Sequence, residues 1–351
     1  MSRSAEVAPA ATAITTSPVD VIVPVHGATE ALRRCLDAVW RHAPPPHRLV
    51  LAVDGSQDDD LEALLDPAAE RGDAVILRGS ERRGFAATVN RGLDASRPGA
   101  DVVLLNSDTE VTPGWLSKLQ RAATSRPRVA TVTPLSNHAT ICSVPKPLVE
   151  NLIPVGHDVD SFGRLVERVA APAYPEIPTG VGFCLYVRRA ALEEVPRFDE
   201  AYGMGYGEEV DFCRTLSDLG FVHLADDATF VYHEGGASFG PAALGLRRRA
   251  GRRLARRHPG FRRDLVRFLD DDPLAPIRDR IVRALAQEPK AGAPGPRAPQ
   301  RRILHLVHGW PPRSVNIIIS TLMCVPRDAG VTVRCVDKRP PAGPHGTERT
   351  R

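Results

Sequence analysis

No two of the six cysteines (Cys35, Cys142, Cys184, Cys213, Cys324, Cys335) stand in a CxxC spacing. Most lie among apolar neighbours, which reads as reduced, buried thiols in a cytosolic setting rather than disulfides or a zinc site. No apolar run approaches the ~20 residues of a membrane-spanning helix. The Ala-rich start, Val7 to Ile14, lacks the leucine-rich core of a signal peptide. Aromatic residues are scarce at 5%, and a formal net charge of +4 over 351 residues does not by itself imply nucleic acid. What the chain does have is small aliphatic residues: 42% of it is hydrophobic, enough for a sizeable core. The expectation is a cytoplasmic protein.

Residues 1–17 are small, polar and Pro-containing, a disordered lead-in by composition. From residue 18 short apolar runs alternate with helical patterns. Val19–Val25, Leu49–Val53, Ala74–Leu77 and Val102–Leu105 read as buried strands, each ending in turn residues. Between the first two, Leu32, Cys35, Leu36, Val39 and Trp40 repeat at helical spacing, and Pro44-Pro-Pro46 stops that helix. Strand and helix alternating with short connections predicts a Rossmann-like, mostly parallel α/β sheet. Right-handed crossovers then bring every strand end to one rim, where open sheets bind ligands. Asp54 and Asn106-Ser107-Asp108 therefore meet on that rim. Further strands are expected at Val129–Thr133, Gly180–Val187, Phe221–Leu224 and Thr229–Tyr232, with a helix from Glu208 to Gly220.

The late part of the chain is basic. Nine arginines fall between Arg247 and Arg263 with few large apolar residues among them. Two readings stay open: a solvated helix over the core's edge, or an electropositive surface for anionic lipid or a phosphate-bearing acceptor at the inner face of a membrane. Without interleaved aromatics, a single-strand nucleic-acid platform is not expected. The α/β domain is placed at 18–270, a basic, Pro-rich linker at 271–300, and an incomplete further unit at 301–351.

Oxygen ligands at Asn106, Ser107 and Asp108 suit a hard cation such as Mg²⁺ or Mn²⁺ bridging to phosphate, though a strand-end Asn/Asp turn needs no metal. Glu208, Glu209 and Asp211 open a helix, where anions are favoured in any case. His233 closes the last strand. Cation site, positioned carboxylate and late histidine together suit a reaction that expels a diphosphate.

The chain resembles the family 2 glycosyltransferases of the GT-A fold, of rhamnosyltransferase-like kind, over roughly residues 18–240. The resemblance rests on Val21-Ile-Val-Pro-Val25, Asp54-Gly-Ser56, Gly84-Phe85 with Asn90-Arg-Gly92, Leu104-Leu-Asn-Ser-Asp-Thr-Glu-Val111, Gly180-Val-Gly-Phe183, Phe198-Asp199, Gly207-Glu-Glu-Val-Asp211 and Tyr232-His233. It implies that Asn106-Ser107-Asp108 stands for the metal-binding DxD, with Asp108 and His233 as ligands. It implies a donor pocket at Pro24, Val25, Asp54, Gly84, Asn90, Asn106 and Ser107. Catalytic carboxylates are expected at the helix start, Glu209 as the base with Glu208 and Asp211 beside it. The reaction implied is an inverting transfer from a UDP- or dTDP-linked sugar to a glycan or lipid-linked hydroxyl. The chain departs from the family at Asn106, which removes one negative charge, and at Glu209, where Asp is more usual. A sugar-nucleotide nucleotidyltransferase would want a basic, Gly-rich loop after the first strand, and His26-Gly27-Ala28 is not one. A non-catalytic glycan-binding module is the other alternative. The tail Ile303-Leu-His-Leu-Val-His-Gly-Trp-Pro-Pro312 resembles the opening strand of a GT-B, family 4 enzyme, and is expected to be its truncated or frame-shifted remnant.

Overall fold

The computed structural model describes residues 17–43, 47–55, 58–70, 74–235 and 243–288, and the backbone of 303–307 and 332–336. Ser56 and the 308–312 part of the tail motif lie outside the described residues. In chain order the first unit, which runs to Glu288, begins β1 (Val19–Val25), α1 (Thr29–His42), β2 (His47–Val53), α2 (Asp59–Glu70), β3 (Ala74–Arg78) and α3 (Phe85–Asp94). It continues β4 (Asp101–Leu105), β5 (Thr109–Val111), α4 (Trp115–Ala123), β6 (Val129–Leu135) and α5 (Val159–Val169). The remainder is β7 (Cys184–Val187), α6 (Arg189–Glu194), α7 (Glu208–Asp218), β8 (Val222–His233), α8 (Ala243–Arg257), α9 (Phe261–Asp271) and α10 (Ala275–Gln287).

The strands form one sheet in the order β3-β2-β1-β4-β7-β6-β8-β5. Its first half is the expected parallel set: β1 pairs in parallel with β2 and β4, and β2 with β3. Both faces of these strands are covered. Val21, Val23 and Val25 face the helix carrying Leu32, Cys35, Leu36 and Val39, all buried, while Ile22 and Leu104 face Ala86, Val89 and Leu93. That double burial is why the strands read as unbroken apolar runs.

The second half departs from the expected strands. Gly180–Val187 does not run as one strand; only Cys184–Val187 pairs, and it is antiparallel to β4 and β6. Ahead of it the backbone turns away, with Gly180 N–H on Cys213 Sγ and Val181 N–H on Thr133 Oγ1. The two short strands expected at 221–232 are one twelve-residue strand, β8. Asp226 sits inside its bend and accepts from Ala228 N at 3.0 Å and Thr229 Oγ1 at 2.6 Å. The bend lets β8 pair in parallel with β6 at one end and antiparallel with β5 at the other.

Part of the stretch expected as a linker at 271–300 is helical. Residues 275–287 form α10, because Ile277 and Ile281 are buried and Arg278 donates to the carbonyls of Ser143 and Ile141. In the tail, β9 (Ile303–Val307) and β10 (Thr332–Val336) make a separate parallel pair. Cys35, Cys142, Cys184 and Cys213 are buried free thiols; Cys324 lies outside the described residues.

The Asn90-Arg-Gly92 motif is part of the framework. Arg91 donates to the carbonyls of Val53 and Leu77 at two strand ends. Gly92 lies against β1, where an added Cβ would come 2.4 Å from Ile22 Cγ2. Gly92→Ala is therefore expected to cost about 1–3 kcal/mol through overpacking, read as a lower denaturation midpoint with unchanged slope.

Candidate functional site

At the carboxyl edge of β1, β2 and β4 lies a cavity of about 110 Å³. Of the expected donor and metal residues, Pro24, Val25, Asp54, Gly84, Asn106, Ser107 and Asp108 line it. Asp54 is held in place by the chain itself: its carboxylate accepts from Arg83 N at 2.7 Å and Gly84 N at 3.0 Å. Gly84 has φ +90°, and a Cβ there would meet Gly203 O at 2.5 Å, so only glycine lets the 203–207 loop close over it. Asn90 is not part of the cavity. Its amide donates to Phe198 O and Glu200 Oε1 and accepts from Phe198 N, so it staples the 198–200 turn to α3. The sequence reading missed His26, Arg82, Phe85, Thr88 and Met204 in the lining. Phe85 and Thr88 follow Gly84 at helical spacing and were open to inference from it; Met204 comes from a distant loop and was not.

The acid and the late histidine meet. β5 pairs antiparallel with the end of β8, setting Thr109 opposite His233, and Asp108 Oδ1 lies 3.4 Å from His233 Nε2. His233 Nδ1 is 2.7 Å from the carbonyl oxygen of His138. A carbonyl only accepts, so Nδ1 carries the proton and Nε2 keeps its lone pair toward Asp108 in the neutral ring. Burial pushes the Asp108 carboxyl up, but the protonated His233 ring, which donates from Nε2, and backbone N–H groups outweigh it and hold the acid below its ordinary range. Burial likewise pulls His233 down, and the Asp108 carboxylate turns the balance upward. An ionised carboxylate oxygen and an oriented imidazole nitrogen this close fit one divalent cation. No set of three His, Cys, Asp or Glu able to hold a metal occurs among the described residues.

Gly182 and Phe183 join this pair to the carboxylates of α7. Phe183 stacks on His233 with ring centroids 5.3 Å apart, and its carbonyl accepts from Asn106 N at 2.8 Å. Next to it, Gly182 passes under the side chain of Glu209, 3.6 Å from Cγ at the position of a Cβ. Glu209 is half-buried and accepts from Gly207 N at 3.1 Å. Glu208 is buried, with no partner for Oε2. Burial raises both carboxyls, Glu208 to about 8 with Glu209's charge adding to the rise, despite the favourable helix end.

Asp211 does something else. Buried at 3% exposure, it accepts from Tyr202 Oη at 3.0 Å and faces His258 Nε2 at 2.9 Å and Arg257 Nε at 3.1 Å. These contacts, all on Oδ1, tie the start of α7 to Tyr202 and to the end of α8. Arg253 and Arg257 also bind Asp199. The arginine-rich stretch, two helices broken at His258-Pro-Gly260, is thus partly a clasp on the 199–211 segment rather than a uniformly solvated face.

The buried Glu208 makes stability depend on pH. Its native carboxyl keeps a proton from its ordinary 4.5 up to about 8, while the unfolded chain has lost it. Stability should therefore fall as pH rises through that window and level off above it. Glu208→Gln is expected to flatten the fall and to be more stable above pH 8 by on the order of a few kcal/mol, since each tenfold change in proton affinity is worth about 1.4 kcal/mol. Urea titrations of both proteins across the window measure it.

A curled, mostly parallel sheet flanked by helices, with this rim, defines a GT-A glycosyltransferase. The chain belongs to glycosyl transferase family 2, whose model matches residues 20–195. It is 28% identical over 239 residues, 60% of this chain and 73% of the relative, to the N-acetylglucosaminyl-diphospho-decaprenol L-rhamnosyltransferase of Mycobacterium tuberculosis (strain CDC 1551 / Oshkosh). Among solved structures it is similar to the mannosyltransferase PcManGT from Pyrobaculum calidifontis in complex with GDP-Man and Mn²⁺, at TM-score 0.52 and 17% identity, covering 88% of this chain and 81% of that one. It is also similar to GalNAc-T7 with UDP, GalNAc and Mn²⁺, at TM-score 0.50 and 19% identity, covering 65% of this chain. That match spans 45% of the GalNAc-T7 chain.

Proposed function

We propose that the protein is a metal-dependent, inverting glycosyltransferase. It moves a sugar from a UDP- or dTDP-linked donor to a hydroxyl of a lipid-linked glycan or polysaccharide, in the cytoplasm and at the inner face of a membrane. The observation that carries the reading is the Asp108–His233 pair at 3.4 Å on the rim of the cavity that also holds Asp54 and Asn106. The relative from Mycobacterium tuberculosis, named for transfer to a lipid diphosphate, supports the acceptor class.

Pro24, Val25 and Asp54 would receive the base and ribose of the donor, and Asn106, Ser107 and Asp108 its diphosphate end. A bound Mg²⁺ or Mn²⁺, held by Asp108 and His233, would neutralise charge on the departing diphosphate. Glu209, oriented by Gly207 N–H over Gly182, takes the proton of the acceptor hydroxyl as its oxygen attacks the anomeric carbon. A carboxyl raised by burial is a stronger base when ionised, which suits that task. One base and one displacement invert the anomeric centre. At about 110 Å³ the cavity is smaller than the ~300 Å³ of a small ligand site, so a bound donor would extend beyond it.

The test is nucleoside diphosphate release from a panel of nucleotide sugars, with and without Mn²⁺, alongside the anomeric configuration of the product by NMR. Metal-dependent release with an inverted product supports the assignment. Binding without release in every acceptor mixture favours a glycan-binding module, and release of pyrophosphate a nucleotidyltransferase.

A further inference from the structure

One side chain holds the backbone of His233. β6 ends after Leu135 pairs with Phe230, so the last residues of β8 lose their neighbour on that edge. On the other edge Glu234 N donates to Asp108 O at 3.0 Å, with Thr109 opposite His233. Successive residues of a strand direct their N–H and C=O groups to alternate edges, so those of His233 face away from β5. Asn137, just past the end of β6, meets both. Its Oδ1 accepts from His233 N at 2.8 Å, and its Nδ2 donates to His233 O at 2.9 Å. Backbone groups withdrawn from water need partners, and an amide side chain carries the separate donor and acceptor that this pair requires.

The next residue holds the ring. His138 O accepts from His233 Nδ1 at 2.7 Å, and the His138 ring stacks on His233 with centroids 5.4 Å apart. Gly235 makes room for that stack, since an added Cβ there would come 2.0 Å from His138 Nδ1. The loop that carries both residues is anchored in turn. Asn137 O accepts from Asn151 N at 2.9 Å and from Asn151 Nδ2 at 3.2 Å, while Ser136 Oγ donates to Asn137 Oδ1. Asn151 also bonds to Lys146 N, Lys146 O and Val149 O. Two consecutive residues of one fixed loop thus direct three hydrogen bonds at a single histidine, the one whose Nε2 stands 3.4 Å from Asp108 Oδ1. A turn that only had to end β6 would need no such convergence.

We infer that Asn137 is a positioning residue: its amide fixes the His233 backbone so that His138 can hold the ring with Nε2 turned toward Asp108. Cation binding by that pair rests on the proposed function; the fixing of the ring does not. Asn137 does not line the donor cavity, so its effect passes through His233. Partners that orient a ligating histidine set its affinity, and their loss commonly weakens metal binding about 10- to 100-fold.

Asn90 supplies the comparison. It is as buried as Asn137, at 2% exposure each, and makes the same reciprocal pair, but with Phe198 N and O. Two quantities are measured on the full chain as wild type, Asn137→Ala and Asn90→Ala. The first is the Nδ1–H signal of His233 in the metal-free protein, by nitrogen-edited proton NMR and assigned by its loss in His233→Asn. The second is Mn²⁺ affinity, by paramagnetic resonance of the free ion, with and without UDP. Both alanine variants should lower the melting temperature. Only Asn137→Ala should lose the protected Nδ1–H signal and weaken Mn²⁺ binding at least about tenfold. An unchanged signal and affinity in Asn137→Ala overturn the proposal. So does an equal loss of both in Asn90→Ala, which would trace the effect to stability alone. Should alanine at 137 prevent folding, Asn137→Ser is read against the same outcomes. Wild type that binds no Mn²⁺, with or without UDP, defeats the metal-dependent reading alone, and the Nδ1–H signal then decides the role of Asn137 by itself.

Discussion

Asp108→Ala should lower turnover of the donor on the order of 10³-fold, as removal of one group that stabilises a developing oxyanion does. Under the proposed function the cation would lose an oxygen ligand, while His233 keeps its hydrogen bond to the His138 carbonyl and its stack on Phe183. Because the pair lies between β5 and β8 rather than in the core, the fold should survive with little change in melting temperature. Donor binding with and without Mn²⁺, by calorimetry, separates the effects: in wild type the metal should tighten binding, and in Asp108→Ala it should make no difference. If the variant keeps metal-dependent binding and turnover, the acid is only a turn residue. Asp108→Asn is the finer probe. It would make both ends of Asn106-Ser107-Asp108 amides, and its activity measures how far one carboxylate sustains the site.

Glu209→Gln is expected to reduce kcat by roughly 10²–10⁴, the range of a general base, while KM for the donor and its Mn²⁺ dependence stay close to wild type. The structure makes the contrast with Glu208 informative. Both carboxyls are raised by burial, but Glu209 is half-buried over Gly182 while Glu208 is enclosed with an unpartnered oxygen. A base must reach solvent or substrate to exchange its proton, which favours Glu209. Glu208→Gln should therefore change the pH dependence of stability and leave most of kcat. If the two variants exchange these outcomes, the roles are reversed. For wild type, a raised carboxyl pKa means that activity falls as pH drops, beginning above the ordinary carboxylate range.

These residues were readable in the sequence because each sits where a short local rule places it. Strand ends follow from unbroken apolar runs, and right-handed crossovers gather Asp54 and Asp108 on one edge without any knowledge of side-chain packing. What could not be read depends on partners far along the chain. Asn90 is an amide whose role is set by Phe198 and Glu200, more than a hundred residues later. The reversal at β7 hinges on where Gly180 and Val181 find hydrogen bonds. The division of labour at the start of α7 is decided by burial, not by residue type: Glu208 is enclosed, Glu209 accessible, and Asp211 committed to Tyr202 and His258. In the basic stretch, composition alone could not tell Arg253 and Arg257, which bind Asp199, from their exposed neighbours.

The pairing of Thr109 with His233 also fixes when the protein can become active as it is made. Eleven of the twelve residues that line the cavity, from Pro24 to Asp108, have been synthesised by position 108, and Met204 joins them later. His233 is added 125 positions after Asp108, by a strand that must first bend and then pair backward onto β5. Contacts so distant in sequence form late. Under the proposed function, a nascent chain short of β8 would lack the histidine of the cation pair, so sugar transfer would wait for the closing strand and not for the opening one.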